Sequence, residues 1–146
     1  MLNRVPKNLS PELIKTLMEM GHGDEILLAD ANYPAVSNNK KIIRADGLMI
    51  PELLDSILKL MPLDSYSDYQ AIFMQVVPGD QNVLPNGAPP IWEKYRDSIG
   101  KSFKNYTVKQ IERSAFYEYS HQCFAIVQTG EKALYGNLIL RKGVVM

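Results

Sequence analysis

The run Ile26-Leu27-Leu28-Ala29 constrains the fold of this chain more than any other stretch. Four consecutive apolar residues are too few for a helix and show no polar alternation, so they read as a short strand buried on both faces. Such a strand belongs to a sheet with helices packed against either side. Met20-Gly21-His22-Gly23-Asp24-Glu25 precedes the run and Asp30-Ala31-Asn32 follows it. Glycines flanking His22 permit a tight bend, and the pattern predicts that His22 and Asp30 meet at one end of the strand as an acid–base pair.

The other elements fit this frame. Ser10-Pro11-Glu12 is a helix start, with a side-chain cap, a proline at the first position and a carboxylate in the positive first turn. Leu13, Ile14, Leu17 and Met20 share one face, and Gly21 stops the helix. Residues 30–39 read as loop, and Lys41 to Arg44 as a second strand. A helix is predicted from Pro51, apolar at Leu53, Leu54, Ile57, Leu58 and Met61, with Pro62 ending it.

Ala71 to Val77 is a strand, and residues 78–90 a long loop rich in Pro, Gly and Asn, a candidate insertion or partner-facing flap. Ile91, Tyr95 and Ile99 have helical spacing, with Gly100 as the stop. Val108 to Arg113 reads as a strand, and Ser114 as the cap of a short helix over Phe116 to His121. Phe124 to Gln128 and Tyr135 to Leu140 complete a sheet of about five strands. Because a short turn joins the last two, the sheet is expected to be mixed. The fold class is therefore α/β, one domain over 1–146, its mixed sheet flanked by helices on both faces in three layers.

Composition narrows the partners. The chain has 146 residues, with 16 Lys plus Arg against 16 Asp plus Glu. That balance argues against nucleic acid or another polyanion as a partner. Cys123 is the only cysteine, which fits a reducing compartment. Met1 to Lys7 carries no apolar signal core, and no run approaches the ~20 apolar residues of a membrane helix. A cytoplasmic protein without a membrane partner is expected.

Two groups of residues bear chemistry. An imidazole titrates near pH ~6.5, so His22 is either a proton donor and acceptor or a hydrogen-bonded structural residue. Asp30, at a strand end, is a site carboxylate or the cap of an Asx turn. Asp24 and Glu25 suit turn or salt-bridge roles, His121 a solvated position, and Cys123 core packing. No recognised ligand spacing or phosphate-loop fingerprint is present, so neither a metal nor a cofactor is predicted. Arg113, Tyr117, Tyr135 and Asn137 form the second group. Their donors, acceptors and aromatic faces suit a polyol, and they equally suit a half-buried aromatic strand.

Taken together, the quoted motifs, with Arg44-Ala45-Asp46-Gly47, Pro62-Leu63-Asp64-Ser65-Tyr66, Phe116-Tyr117-Glu118, Thr129-Gly130-Glu131 and Tyr135-Gly136-Asn137, resemble the L-fucose mutarotases, a sister group of the D-ribose pyranases. The resemblance covers nearly the whole chain and is loosest from Val77 to Tyr106. It implies an isomerase that interconverts sugar anomers without a cofactor. Matching positions imply His22 as general acid, Asp30, Arg113, Tyr135 and Asn137 as sugar-binding residues, and Asp64 and Tyr117 as further site residues. The anomeric proton would pass to Asp30, Tyr117 or a held water, with Asp30 ranked first.

The Phe116-Tyr117-Glu118 and Tyr135-Gly136-Asn137 elements favour L-fucose over D-ribose as the monosaccharide. D-ribose pyranase and a non-catalytic sugar-binding accessory protein are the alternative functions. The resemblance also implies a homo-oligomer, with a decameric ring as the form to expect and sites near subunit contacts. Asp64 or Tyr117 would then complete a neighbour's pocket, and Met18, Met20, Met49 and Met61 would be contact surface.

Overall fold

The computed structural model describes residues 1–83 and 87–146. Six strands form one sheet: β1 (Glu25–Ala29), β2 (Ile42–Ala45), β3 (Ala71–Met74), β4 (Val108–Ile111), β5 (Ala125–Thr129) and β6 (Leu138–Arg141). The helices are α1 (Pro11–Glu19), α2 (Ala35–Asn38), α3 (Ile50–Leu58), α4 (Ile91–Ser102) and α5 (Arg113–Ser120). The sheet order is β2-β5-β1-β6-β3-β4. Strand β6 runs antiparallel to both neighbours, while β1, β5 and β2 pair in parallel, as do β3 and β4.

The predicted central strand is the middle of the structure: all five residues of β1 are buried. Its side chains alternate between two cores, as the two-residue period of a strand requires. Ile26 and Leu28 join a large cluster with Leu13, Leu53, Ile57 and Tyr95, so α1, α3 and α4 cover that face. Leu27 and Ala29 join a smaller cluster with Ala35, Ile72 and Phe116 beneath α2 and α5. This is the expected three-layer arrangement of a mixed sheet.

Several local expectations need correction. Residues 30–39 contain the short helix α2, its Asn39 amide bonded to the Ala35 carbonyl. Helix α4 runs through Gly100, because Ile99 and Ser98 still face the core and tertiary packing outweighs glycine's low propensity. Glu112, not Ser114, caps α5, accepting from the Ser114 and Ala115 amides. Strand β3 ends at Met74, and a single 3-10 turn spans Gln81–Val83 within the long loop. The part of that loop at Leu84, Pro85 and Asn86 lies outside the described residues.

The sheet is mixed for a reason other than the one inferred. Strands β5 and β6 are not a hairpin, since β1 lies between them and the extended antiparallel partners of β6 are β1 and β3. Residues 135–137 belong to the turn before β6, leaving Leu138 as its first residue. Met20 and Met61 are buried in the large core, whereas Met18 and Met49 reach solvent.

Candidate functional site

His22 and Asp30 do not meet. His22 lies just before β1 and Asp30 just after it, and five strand residues span about 17 Å. The sheet therefore separates two clusters of polar residues, one at each end of its central strand.

The first lies at the carboxyl ends of the parallel strands, where open α/β sheets place ligand sites. A cavity of about 290 Å³ is lined there by Asp30, Asp80, Arg113, Tyr117, Tyr135 and Asn137, among others. Asp30 and Asn137 are 7% and 3% exposed and clasp each other. The Asp30 amide donates to Asn137 Oδ1 at 2.8 Å, and Asn137 Nδ2 donates to Asp30 Oδ2 at 2.8 Å. The other carboxylate oxygen accepts from the Asn32 amide at 2.9 Å, so Asp30 forms an Asx turn and lines the cavity at once. Burial raises its pKa above the ordinary value, against the opposing hydrogen bonds from Asn32 and Asn137.

Tyr135 is held by its backbone. Its φ of 55° is a left-handed conformation unusual for a residue with a bulky side chain. Helix α4 fixes the turn from the side: Trp92 Nε1 donates to the Tyr135 carbonyl at 3.0 Å, and the Tyr95 hydroxyl to the Gly136 carbonyl at 2.8 Å. The Tyr135 hydroxyl then donates to Asp80 Oδ2 at 2.6 Å. Burial and that carboxylate raise the phenol pKa, keeping the proton on Tyr135. Arg113 and Tyr117 come from α5, with Tyr117 edge-on to Tyr33 at a centroid distance of 5.4 Å.

The second cluster lies at the opposite end of β1. His22 Nε2 donates to Asp64 Oδ1 at 2.9 Å, a carboxylate being able only to accept. Nδ1 is then the ring nitrogen left to exchange a proton with a substrate. The His22 side chain is 48% exposed, whereas that of Asp64 is 2% exposed. Tyr66 stacks at a tilt over the imidazole, with ring centroids 5.4 Å apart. Burial opposes the charge of Asp64, but hydrogen bonds from the Tyr66 amide, His22 and Arg141 outweigh it and hold its pKa below the ordinary value.

The structure thus gathers Asp30, Arg113, Tyr117, Tyr135 and Asn137 in one place and pairs His22 with Asp64 in another. Sequence reasoning missed Asp80 and Asn82, which line the first cavity from the long loop. Asp80 directly follows Pro78-Gly79 beyond the end of β3, and a carboxylate placed there was its one available signal. It also missed Arg141, which contacts both Asp64 and Glu25.

The remaining candidates are structural. Cys123 is buried, and that burial pushes its thiol up to about 12. His121 caps the end of α5 and contacts Asn38 Oδ1 at 2.9 Å on the surface. Asp24 closes the His22 turn by accepting from the Gly21 amide at 2.7 Å. Among the described residues no group of three or more His, Cys, Asp or Glu could hold a metal ion, and no helix is long and apolar enough to cross a membrane.

Comparison with known proteins places this architecture. A fucose mutarotase from Streptococcus pneumoniae, solved in complex with L-fucose, is similar at 56% identity with a TM-score of 0.92, covering 99% of this chain and 100% of that one. The fucose mutarotases of Danio rerio and Homo sapiens are each 49% identical over 99% of this chain and 94% of their own length. Residues 4–145, a span that holds both polar clusters and every strand between them, match the sequence profile of the RbsD / FucU transport protein family, and the chain belongs to that family.

Proposed function

We propose that this protein is an L-fucose mutarotase, a cofactor-free isomerase that interconverts the α and β anomers of the free sugar. One observation carries the reading: near-complete likeness, at 56% identity, to an enzyme of that activity solved with L-fucose. The geometry supplies the chemistry. Mutarotation breaks the bond between the anomeric carbon and the ring oxygen. A proton must reach that ring oxygen while another leaves the anomeric hydroxyl, giving the open-chain aldehyde; reclosure on the other carbonyl face reverses both transfers.

His22, with Nδ1 free and Nε2–H donated to Asp64, delivers and recovers the ring-oxygen proton. The polar cavity at the other end of β1 binds the sugar hydroxyls through Asp30, Arg113, Tyr135 and Asn137. Asp30, Tyr117 or a held water takes the anomeric proton, and Asp30 ranks first: it lines the cavity, and burial makes it a stronger base than an ordinary carboxylate.

About 17 Å of sheet separates donor and cavity, so one chain holds two half-sites rather than one site. We therefore read the protein as a homo-oligomer in which His22 and Asp64 of one copy face the cavity of the next. A decameric ring remains the form to expect. One domain spans 1–146, and a single buried free cysteine agrees with a cytoplasmic setting.

Saturation-transfer NMR on equilibrated L-fucose tests the reading. The wild type should exchange the anomeric resonances faster than the uncatalysed reaction, and His22→Ala should lose that acceleration. No acceleration by the wild type rules out the activity, whereas full activity in His22→Ala removes only the role of His22. Faster pyranose–furanose exchange of D-ribose than anomer exchange of L-fucose would favour the pyranase reading instead.

A further inference from the structure

The hydrogen bonds behind His22 continue well past Asp64. Arg141 is the last residue of β6, and the antiparallel register places it directly across from Glu25, the first residue of β1. Its guanidinium spans two carboxylates: Nε donates to Asp64 Oδ2 at 3.1 Å, and Nη1 to Glu25 Oε1 at 3.3 Å. Glu25 is 6% exposed, and Asp64 is buried too. The salt-bridge role expected of Glu25 is thus met by Arg141, and the proton steps above use neither residue.

Glu25 is itself held from two further directions. The Tyr69 hydroxyl donates to Oε1 at 2.8 Å and the Tyr119 hydroxyl to Oε2 at 2.7 Å. Tyr69 precedes β3 and Tyr119 lies on α5, so the cluster ties together the sheet and the helix that carries Arg113 and Tyr117. Arg141 Nη1 also donates to the Tyr69 hydroxyl at 3.2 Å. Every buried side-chain polar atom among the described residues has a partner, so the network is closed.

A closed buried network fixes geometry more than it adds stability, because desolvation offsets most of the attraction between its charges. What it fixes here is Asp64. With one oxygen committed to Arg141 and the other to His22 and the Tyr66 amide, the carboxylate cannot rotate without breaking a charge-assisted bond. A fixed Asp64 in turn holds His22, which is half exposed and, among the described residues, has only the tilted Tyr66 ring packed against it besides. Gly23 belongs to the same arrangement, since a Cβ there would lie 3.2 Å from Arg141 Nη2.

We propose that Arg141, braced by Glu25, Tyr69 and Tyr119, is a positioning residue for proton transfer at His22: it locks Asp64 so that the imidazole keeps Nε2–H inward and Nδ1 outward. The proposal rests on the reading of His22 as the proton donor. Lysine in place of Arg141 keeps the charge but not the fork that reaches both carboxylates.

L-fucose exchange kinetics should be measured over a range of concentrations for the wild type, Arg141→Lys and Glu25→Gln, alongside their thermal midpoints. Folded variants should keep KM within about twofold of wild type while kcat falls on the order of tenfold, the scale on which partners behind a reacting histidine act. Arg141→Met should be worse than Arg141→Lys. A kcat within about twofold of wild type in folded Arg141→Lys and folded Glu25→Gln alike overturns the proposal.

The wild type alone provides a second test, should the variants not fold. Nitrogen-15 shifts of His22 at a pH where it is neutral should report a single Nε2–H tautomer; the Nδ1–H tautomer, or rapid averaging of both, overturns the proposal. If the wild type fails to accelerate exchange, the proposed activity fails, and the tautomer measurement still decides whether the network orders His22.

Discussion

Gly23 shows what a single residue contributes to this fold. Its φ is +85°, a conformation that costs an L-residue roughly 1–2 kcal/mol. Its missing side chain also makes room for Arg141. Gly23→Ala should therefore lower stability by about 1–2 kcal/mol in urea unfolding, and should depress kcat more than KM because Arg141 is displaced. The carboxylates at the two ends of β1 respond to acid with opposite signs. The folded pKa of Asp64 lies below its ordinary 3.8, so its contribution is present above that value and is lost as pH falls through the folded one. The folded pKa of Asp30 lies above 3.8, so its contribution is present below that value and is lost as pH rises through the folded one. The stability gap between wild type and Asp64→Asn should thus widen with rising pH, and that for Asp30→Asn should narrow. Urea midpoints between about pH 3 and 7 check both slopes. The glycine flanks of His22 were visible in sequence as a sign of tight backbone. The reason for Gly23, a guanidinium more than a hundred positions along the chain, was not, because only the β1–β6 register brings Arg141 there.

Among the elements, α5 shows how a short helix carries a site. It has two buried residues, Phe116 and Ser120, and it presents Arg113 and Tyr117 to the cavity. Phe116 is fully buried and packs edge-on to Tyr33, with ring centroids 6.1 Å apart. Phe116→Ala should cost about 3–5 kcal/mol in denaturant unfolding. In the folded fraction it should raise KM for L-fucose, because the helix loses the contact that seats Arg113. The elements themselves were largely readable: β1 from its apolar run, α1 from Ser10-Pro11-Glu12, α3 from its one-sided leucines. Their neighbours were not. A short connection between β5 and β6 suggested a hairpin, yet β1 sits between them, pairing in parallel with β5 and antiparallel with β6. The loop after β3 gave no periodicity from which to foresee that Asp80 returns to meet Tyr135.

On the scale of the whole molecule, the sheet decides how the activity can be assembled. Two residues at opposite ends of a fully buried strand cannot be brought together by a loop movement; the core through Leu27 and Leu28 would have to open. If both act on one sugar, they come from different copies of the chain. Co-expressing His22→Ala with Arg113→Ala tests this directly. Each variant alone should be inactive, one lacking the proposed proton donor and the other a proposed sugar-binding group. In mixed assemblies with random incorporation, about one quarter of the interfaces pair an intact donor end with an intact cavity, so about a quarter of wild-type exchange should return. Native mass spectrometry of differentially tagged chains establishes that mixed assemblies are present. If they are and no activity returns, each site lies within one chain. The motif that first drew attention, histidine and aspartate around a short apolar run, would then be rejected as a pair acting on one substrate. Returned activity instead means that the run separates the two groups so that neighbouring copies can bring them together.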